Sequence, residues 1–301
     1  MSSAKSGLFM LNSAKTVVQA SRIRIQSNFP LSMSPNLRHG HYARKQIFSK
    51  DRLISWSHRS RFDLALKLAR EIGGRRLLDY GCGDGTFLSL MMSQIDPDGI
   101  QEAVGAEVGM DQISDCRRRL GTLDGVSFVG ISDLDRAEFS QAFDMVVCTE
   151  VLEHVVDREE ALNRLKRVLA PSGHLIISVP VETGFPLLIK QTARRIAGWR
   201  GLGDYPGMSP YSWGELFRSF FAANEQHMTR PVHGIAEGRP FHDHKGFNWK
   251  VLKAEVELKF EIQRMLTSPL SLGGTQLASQ VWFLATPRKE LRKEEVAYKT
   301  N

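Results

Sequence analysis

A glycine-rich segment at residues 77–87 constrains the fold of this chain more than any other feature. It reads Leu-Leu-Asp-Tyr-Gly-Cys-Gly-Asp-Gly-Thr-Phe, which is a short apolar run ending in an acid, three alternate glycines and the start of a helical pattern. Glycine permits a sharp turn and lets backbone N–H groups approach a ligand, while the following helix directs its positive end at that ligand. We therefore expect a strand-turn-helix unit that contacts a nucleoside-containing ligand.

The spacing of the glycines separates this turn from the dinucleotide fingerprint. Gly81, Gly83 and Gly85 give G-x-G-x-G, whereas the fingerprint places its third glycine one residue later. Asp79 precedes the first glycine by two residues. Taken alone, the segment is also compatible with an ordinary strand-to-helix turn that is rich in glycine.

Strands and helices alternate through the first 180 residues. An amphipathic helix over 51–73 precedes the first strand, and the alternation predicts βαβ units, a mainly parallel sheet and right-handed crossovers. After residue 183 the alternation stops until a helix near 247–258 and two strand candidates, 260–266 and 280–285. The earlier predicted strands cover 76–80, 103–107, 126–129, 143–148 and 175–179, and the helices between them cover 86–95, 110–120 and 159–169.

Two further segments carry a resemblance to a known family. Residues 143–155 read Phe-Asp-Met-Val-Val-Cys-Thr-Glu-Val-Leu-Glu-His-Val, and residues 165–175 read Leu-Lys-Arg-Val-Leu-Ala-Pro-Ser-Gly-His-Leu. With the glycine turn, they resemble the class I S-adenosylmethionine-dependent methyltransferases, and 150–155 is similar to the branch that includes ubiquinone-type O-methyltransferases. The resemblance is strong over 77–180. It implies an α/β, Rossmann-like, doubly wound sheet of seven strands, mainly parallel with a reversed last strand, and a helical, aromatic insert after strand five.

The resemblance also implies the cofactor, S-adenosylmethionine, and the residues that bind it. Asp79 would lie near the methionyl amino group, and Glu107, at the end of the second strand, would accept hydrogen bonds from the ribose hydroxyls. Asp133 would contact the adenine amino group, or alternatively cap a helix. The residues implied to bind the cofactor are Asp79, Gly81, Cys82, Gly83, Gly85, Glu107, Asp133 and Glu150.

Two histidines are candidates for catalysis. A hydroxyl acceptor needs a general base, and His154 follows the fourth strand on the loop that borders the reaction centre in this family. Its alternative role is to pack against or cap the next helix. His244 belongs to the cluster His242-Asp243-His244. These three residues could supply at most three ligands, and a tetrahedral metal site needs four. We expect no metal there, but a loop that caps the next helix and reaches the pocket.

The charge of the chain is concentrated at its N-terminus. The formal net charge is +7, yet residues 1–50 contain eight Lys or Arg and no acid, so the remainder carries −1. A broad basic face for nucleic acid is therefore not expected. The serine-rich segment 1–50 is interpreted as an extension, either disordered or a transit peptide to an organelle. Without such a peptide a cytoplasmic location is expected. The three cysteines lack metal-ligand spacing and fit a reduced compartment such as the cytoplasm.

These features predict a methyltransferase domain over 51–288, followed by a charged tail at 289–301. The predicted function is methyl transfer to a small molecule, with oxygen as the expected acceptor atom on a sugar, a quinone or a secondary metabolite. The insert 183–245 would act as an acceptor-side lid, and its helix at 187–200 either packs on the core or touches anionic lipid. The alternatives are a lipid-linked acceptor at a membrane surface and a non-catalytic nucleoside-binding module. The oligomeric state is not predicted.

Overall fold

A seven-stranded sheet forms the centre of the protein. The computed structural model describes residues 40–49, 52–93, 99–199, 209–234 and 240–289. The sheet has the order β3-β2-β1-β4-β5-β9-β8. Its strands are β1 (Arg76–Tyr80), β2 (Glu102–Glu107), β3 (Val126–Gly130), β4 (Phe143–Thr149), β5 (Leu169–Pro180), β8 (Phe260–Ser268) and β9 (Gln280–Pro287).

The strand directions confirm the predicted fold class. Strands β1 to β5 pair in parallel, and β9 runs antiparallel to both of its neighbours, β5 and β8. The last strand in the chain is therefore the reversed one. Strand β5 begins at Leu169, six residues earlier than predicted, because Leu169 pairs with Phe143 across an irregularity in the register.

Helices cover both faces of the sheet. Alternate residues of β1 point to opposite faces, so that Leu77 packs in one apolar cluster and Leu78 in the other. The Leu77 face is covered by α1, α2 and α3, and the Leu78 face by α4 and α7. The helices are α1 (Arg52–Ile72), α2 (Thr86–Met92), α3 (Met110–Leu120), α4 (Arg158–Val168), α5 (Gly184–Trp199), α6 (Trp213–Phe220) and α7 (Trp249–Lys259).

The insert after β5 contains more regular structure than its sequence indicates. Besides α5 and α6 it holds a two-stranded antiparallel sheet of β6 (Val232–Gly234) and β7 (Pro240–His242), where no strand was predicted. Strands of three residues are too short to show a periodic pattern. Two aromatic side chains of the insert, Trp213 and Phe217, are 78% and 66% exposed.

The contacts of Lys190 on α5 favour the first alternative for the helix predicted at 187–200, packing on the core. Nζ of Lys190 donates to the Glu182 carboxylate at 2.9 Å and to the carbonyls of Val181 and Ser279 at 3.1 Å each. This lysine therefore ties α5 to the core and does not point to an anionic surface. The side chains of Arg194 and Arg195 lie outside the described residues. No helix in the described ranges has the length and apolar character needed to cross a membrane.

The packed part of the chain begins before the predicted boundary at residue 51. Residues 43–47 form a short π-helical turn in which Ala43 and Ile47 are fully buried. The backbone N–H of Ala43 donates to Asp84 at 3.0 Å, which joins this turn to the glycine-rich segment. The extension predicted at 1–50 is thus shorter than proposed. The transit-peptide prediction, which concerns its first part, lies outside the described residues, as does most of the tail at 289–301.

We predict that Ile47→Ala lowers the free energy of unfolding by about 2–4 kcal/mol, because it leaves a cavity at a fully buried position. Leu272→Ala, at a side chain that is 81% exposed, serves as the control and should change it by less than about 0.5 kcal/mol. Urea denaturation followed by circular dichroism measures both values. Equal small effects would show that the 43–47 turn does not belong to the folded domain.

Candidate active site

The glycine turn after β1 is shaped by three residues in the left-handed region. Gly81, Gly83 and Gly85 have φ of +78°, +56° and +73°. A Cβ atom at Gly81 would lie 2.4 Å from Val151, and one at Gly85 would lie 2.5 Å from Leu120, whereas one at Gly83 would meet no atom within 4 Å. The outer two glycines therefore allow close packing. The middle one leaves open space in front of the backbone.

Glu107 closes the turn from the neighbouring strand. Its carboxylate accepts hydrogen bonds from the backbone N–H of Gly83 at 2.8 Å and of Val108 at 2.7 Å. These two bonds fix a half-buried carboxylate at the end of β2, with acceptor capacity left for a ligand. This is the position at which the sequence predicted a partner for two ribose hydroxyls.

Asp79 and Cys82 lie beneath the turn and are almost fully buried. Burial, together with the nearby charges of Glu107 and Asp84, raises the pKa of Asp79 to about 8. A hydrogen bond with Cys116 and burial raise the pKa of the Cys82 thiol, which stays protonated. A cationic ligand group beside Asp79 would restore its ionised form.

One cavity of about 640 Å³ joins these residues to the loop after β4, within the size range of small-molecule sites. Of the ten residues predicted to act in binding or catalysis, seven line it: Asp79, Gly81, Cys82, Gly83, Glu107, Glu150 and His154. Gly85, Asp133 and His244 do not. Gly85 supports the turn through its contacts with Leu120 and Phe128.

The structure favours the capping alternative for Asp133. Its carboxylate accepts a hydrogen bond from the backbone N–H of Gly130 at 2.9 Å and pairs with Arg136 at 2.6 Å. These contacts hold the turn that follows β3 and direct the carboxylate away from the cavity. Ile131 is the residue of this turn that reaches the cavity wall.

An ion pair across the cavity was not predicted. Arg61, on α1, contacts Glu150 with 2.7 Å between Nη1 and Oε2. The guanidinium also contacts Tyr42 and His58, and burial lowers the pKa of His58 to about 4. Glu150 has a φ of +57°, a strained conformation for a residue with a side chain, at the end of β4.

These residues could hardly be recognised from local sequence patterns. Arg61 occupies one turn of an amphipathic helix in which several other basic residues are exposed, and Tyr42 lies in the segment interpreted as an extension. Their proximity to Glu150 depends on how α1 crosses the sheet. Only the aromatic character of Tyr42 and Phe62, which also lines the cavity, offered a signal.

His154 lines the cavity from the loop after β4. Its Nδ1 lies 2.8 Å from the His242 carbonyl, which can only accept, so Nδ1 donates and Nε2 keeps its lone pair when the ring is neutral. The ring of His244 packs edge-on against it with 4.8 Å between ring centroids. Burial lowers the pKa of His244 to about 4, so this ring is neutral near pH 7.

The three residues 242–244 point in different directions. His242 Nδ1 donates to the Pro231 carbonyl at 2.8 Å, and Asp243 accepts from the backbone N–H groups of Ser209 and Lys245. Only His244 turns toward the cavity wall, where its Nδ1 lies 3.8 Å from Glu182. The three side chains of this cluster therefore do not converge on one point.

The fold and the cavity together define a class I methyltransferase domain. The sequence matches the family described as a methyltransferase domain over residues 40–225, which is more than half of the chain. The chain belongs to this family, and its cofactor is S-adenosylmethionine. The match begins within the segment that the structure places before α1.

Curated relatives are similar over part of the chain. An uncharacterised protein of Synechococcus is 31% identical over 153 residues, covering 50% of this chain and 36% of the relative. The ubiquinone biosynthesis O-methyltransferase of Photorhabdus laumondii is 32% identical over 120 residues, covering 39% of this chain and 48% of that enzyme. The chain thus spans between a third and a half of the length of these relatives.

Solved structures support the fold. The PH0226 protein of Pyrococcus horikoshii aligns with a TM-score of 0.51 at 18% identity, covering 82% of this chain and 98% of that one. The CurJ carbon methyltransferase aligns with a TM-score of 0.50 at 17% identity, covering 81% of this chain and 57% of that one.

The residues of the turn fit the cofactor that the family implies. Gly83 leaves open space in front of the backbone, where a Cβ would meet no atom within 4 Å, and Glu107 is fixed beside it by two backbone N–H groups. Asp79 is a buried acid whose ionised form an ammonium group would stabilise. These are the donors, acceptors and space that a nucleoside with an attached amino acid needs.

We predict that Glu107→Ala weakens the binding of S-adenosylhomocysteine by about 10-fold to 100-fold, because hydrogen bonds to a charged acceptor are lost. Glu102→Ala is the matched control, since Glu102 lies on the same strand but at its far end, paired with Arg76. Isothermal titration calorimetry measures both affinities. Equal affinities for the two variants would contradict the role assigned to Glu107.

The raised pKa of Asp79 predicts a pH-dependent affinity. Below about pH 8 the free carboxyl is protonated, and an ammonium group of the ligand favours its ionised form, so binding releases a proton. The affinity for S-adenosylhomocysteine should therefore rise from pH 6 to pH 8, by up to about 10-fold per pH unit. Calorimetry in buffers of different ionisation enthalpy measures the released proton. The same release in Asp79→Asn would rule out Asp79 as its source.

Proposed function

We propose that this protein is an active methyltransferase that transfers the methyl group of S-adenosylmethionine to a hydroxyl group of a small molecule. The observation that carries the proposal is a cavity that Gly83 and Glu107 line together with Glu150 and His154. Such a cavity allows the acceptor and the methyl donor to meet in one space.

Bound S-adenosylmethionine supplies a methyl group on a positively charged sulfur, which a nucleophile displaces in line. The chain's part is to orient the partners and exclude water. Glu107 would position the ribose, and Asp79 would hold the amino group. The apolar wall, including Phe62, Val151 and Trp282, would limit the access of water to the reacting atoms.

A hydroxyl acceptor must lose a proton, and two groups that line the cavity can promote this loss. His154 keeps the lone pair of Nε2 when neutral, because Nδ1 donates to the His242 carbonyl. The carboxylate of Glu150 contacts Arg61 at 2.7 Å. These two groups support oxygen as the methylated atom more than carbon or sulfur.

The similarity to ubiquinone biosynthesis O-methyltransferases supports the same acceptor atom. The similarity covers less than half of those enzymes, so it supports the type of reaction more than the identity of the acceptor. A hydroxylated aromatic ring would suit the largely apolar wall, which includes Phe62 and Phe241.

The proposal is tested by a transfer assay with S-adenosylmethionine carrying a labelled methyl group. We expect label in phenolic acceptors and in hydroxylated compounds of a cell extract, and none in the matching amines. The Glu107→Ala variant should lose most of this transfer at limiting cofactor concentration. Binding of S-adenosylhomocysteine without label transfer to any compound would instead favour a non-catalytic binding module.

A lipid-borne acceptor is the second candidate, and one observation favours it. Five large apolar side chains of α5, α6 and the residue after α6 are more than half exposed: Phe185, Ile189, Trp213, Phe217 and Phe221. Exposed aromatic side chains of this kind can enter a lipid surface. The same assay with a phenolic lipid in vesicles decides between the candidates. A lipid-borne acceptor would be favoured if the lipid becomes labelled and if Trp213→Ser, but not Leu272→Ser, lowers the amount of label.

A further inference from the structure

A buried carboxylate beside the cavity lacks the contacts that such a group needs. Glu153, on the loop between β4 and α4, has no exposed surface, and neither of its carboxylate oxygens has a hydrogen-bond partner among the described residues. An ionised carboxylate in such a place is strongly unfavourable unless it is paired or coordinates a metal. Its surroundings therefore require an explanation.

The two nearest cationic side chains are engaged elsewhere. The guanidinium of Arg61 contacts Glu150, Tyr42 and His58. Arg230 donates to the backbone carbonyls of Glu153 and Asp243 and packs over the ring of Phe247. Both lower the cost of an ionised Glu153 through space, but neither forms an ion pair with it in the described structure.

Two imidazoles lie close to this carboxylate. Nε2 of His154 lies 3.8 Å from Oε1 of Glu153, and its lone pair is available because Nδ1 donates to the His242 carbonyl. Nδ1 of His244 is also buried and has no hydrogen-bond partner among the described residues. One atom from each of Glu153, His154 and His244 lies within 4.8 Å of the other two.

These separations suit a common metal ion after a small contraction. Ligand atoms that lie about 2.1 Å from one ion are about 3.4 Å apart in a tetrahedral site. Two ligand atoms on opposite sides of the ion are about 4.2 Å apart, which is the largest possible separation. Side-chain rotations that shorten the longest separation by about 1 Å would close the set. The carboxylate of Glu182, 3.8 Å from Nδ1 of His244, adds negative charge beside the set.

We propose that Glu153, His154 and His244 bind a divalent cation in the wall of the active-site cavity. Two imidazoles and one carboxylate favour a transition metal such as Mn²⁺, Co²⁺ or Zn²⁺ over Mg²⁺. Three protein ligands leave coordination positions open, as in catalytic rather than structural sites. Because His154 is the ligand that lines the cavity, an open position would face the acceptor.

The role of the cation rests on the proposed O-methylation. A hydroxyl oxygen bound at the open position has a lower pKa, so its proton is lost to water near neutral pH. The oxygen lone pair then forms the bond to the methyl carbon, while the carbon–sulfur bond breaks and its electron pair stays on sulfur. His154 acts in this scheme as a ligand and not as the base. The sequence concealed the site because His244 lies 90 residues after His154.

Titration of the chelator-treated full-length protein with Co²⁺ tests the site without an activity measurement. We expect one equivalent to bind and to produce the visible absorption bands of Co²⁺ with nitrogen and oxygen ligands. Glu153→Gln, which keeps the side-chain shape and removes the charge, should weaken binding by at least about 100-fold. His233→Gln is the control, because His233 pairs with Asp243 away from the cavity, and should bind Co²⁺ as the wild type does.

A second variant is needed in case Glu153→Gln does not fold. His244→Gln should also lose Co²⁺ binding, and thermal denaturation should show that at least one of the two variants keeps the wild-type fold. Unchanged Co²⁺ binding in both folded variants, or no binding to the wild type, would overturn the proposal.

The metal proposal and the methyltransferase proposal fail in different ways. If the chelated protein binds S-adenosylhomocysteine and transfers label at the full rate, the metal site is wrong and the transferase remains. If chelation lowers the transfer rate and added Mn²⁺, Co²⁺ or Zn²⁺ raises it again by at least about 10-fold, both proposals are supported. If Co²⁺ binds as expected but no hydroxyl compound accepts label, the metal site stands and the proposed acceptor is wrong.

Discussion

The reversal of strand order between β1 and β4 determines where the site lies. From β1 the chain builds β2 and β3 on one side, then crosses to build β4 and β5 on the other. The loops that leave β1 and β4 therefore diverge and open a crevice at the carboxyl ends of the parallel strands. The glycine turn and the loop after β4 form its walls, and Glu107 closes it from β2.

The electrostatics of this crevice are unusual for its degree of burial. Asp79, Glu107, Glu150, Glu153 and Glu182 are all buried or half-buried within the same region. Arg61 and Lys190 pair with two of them. The rest lack an ion-pair partner of comparable strength among the described residues. Such an arrangement favours ligands with positive charge, which include a sulfonium, an ammonium group and a divalent cation.

The first half of the fold could be predicted because its signals are local. Strands β1 and β4 and helix α3 were placed within one residue, since each combines a clear apolar period with a glycine or polar boundary. The cofactor residues Gly81, Gly83 and Glu107 follow from the same segments. Asp133 was ambiguous from sequence because a side chain that caps a turn and one that contacts a base share the same residue types.

The remainder depended on contacts between distant segments. The approach of Arg61 to Glu150 and the proximity of His154 to His244 involve residues separated by 89 and 90 positions. The packing of residues 43–47 was missed because five residues show no period, although their burial is complete at Ala43 and Ile47. Tertiary packing, which no short pattern encodes, brings these groups together.

A crystal structure of the protein with S-adenosylhomocysteine tests the central claim most directly. We expect the nucleoside over the carboxyl ends of β1 and β2, with both ribose hydroxyls on the Glu107 carboxylate and the amino acid part near Asp79. A ligand bound elsewhere, with Glu107 still bonded only to the backbone of Gly83 and Val108, would contradict it.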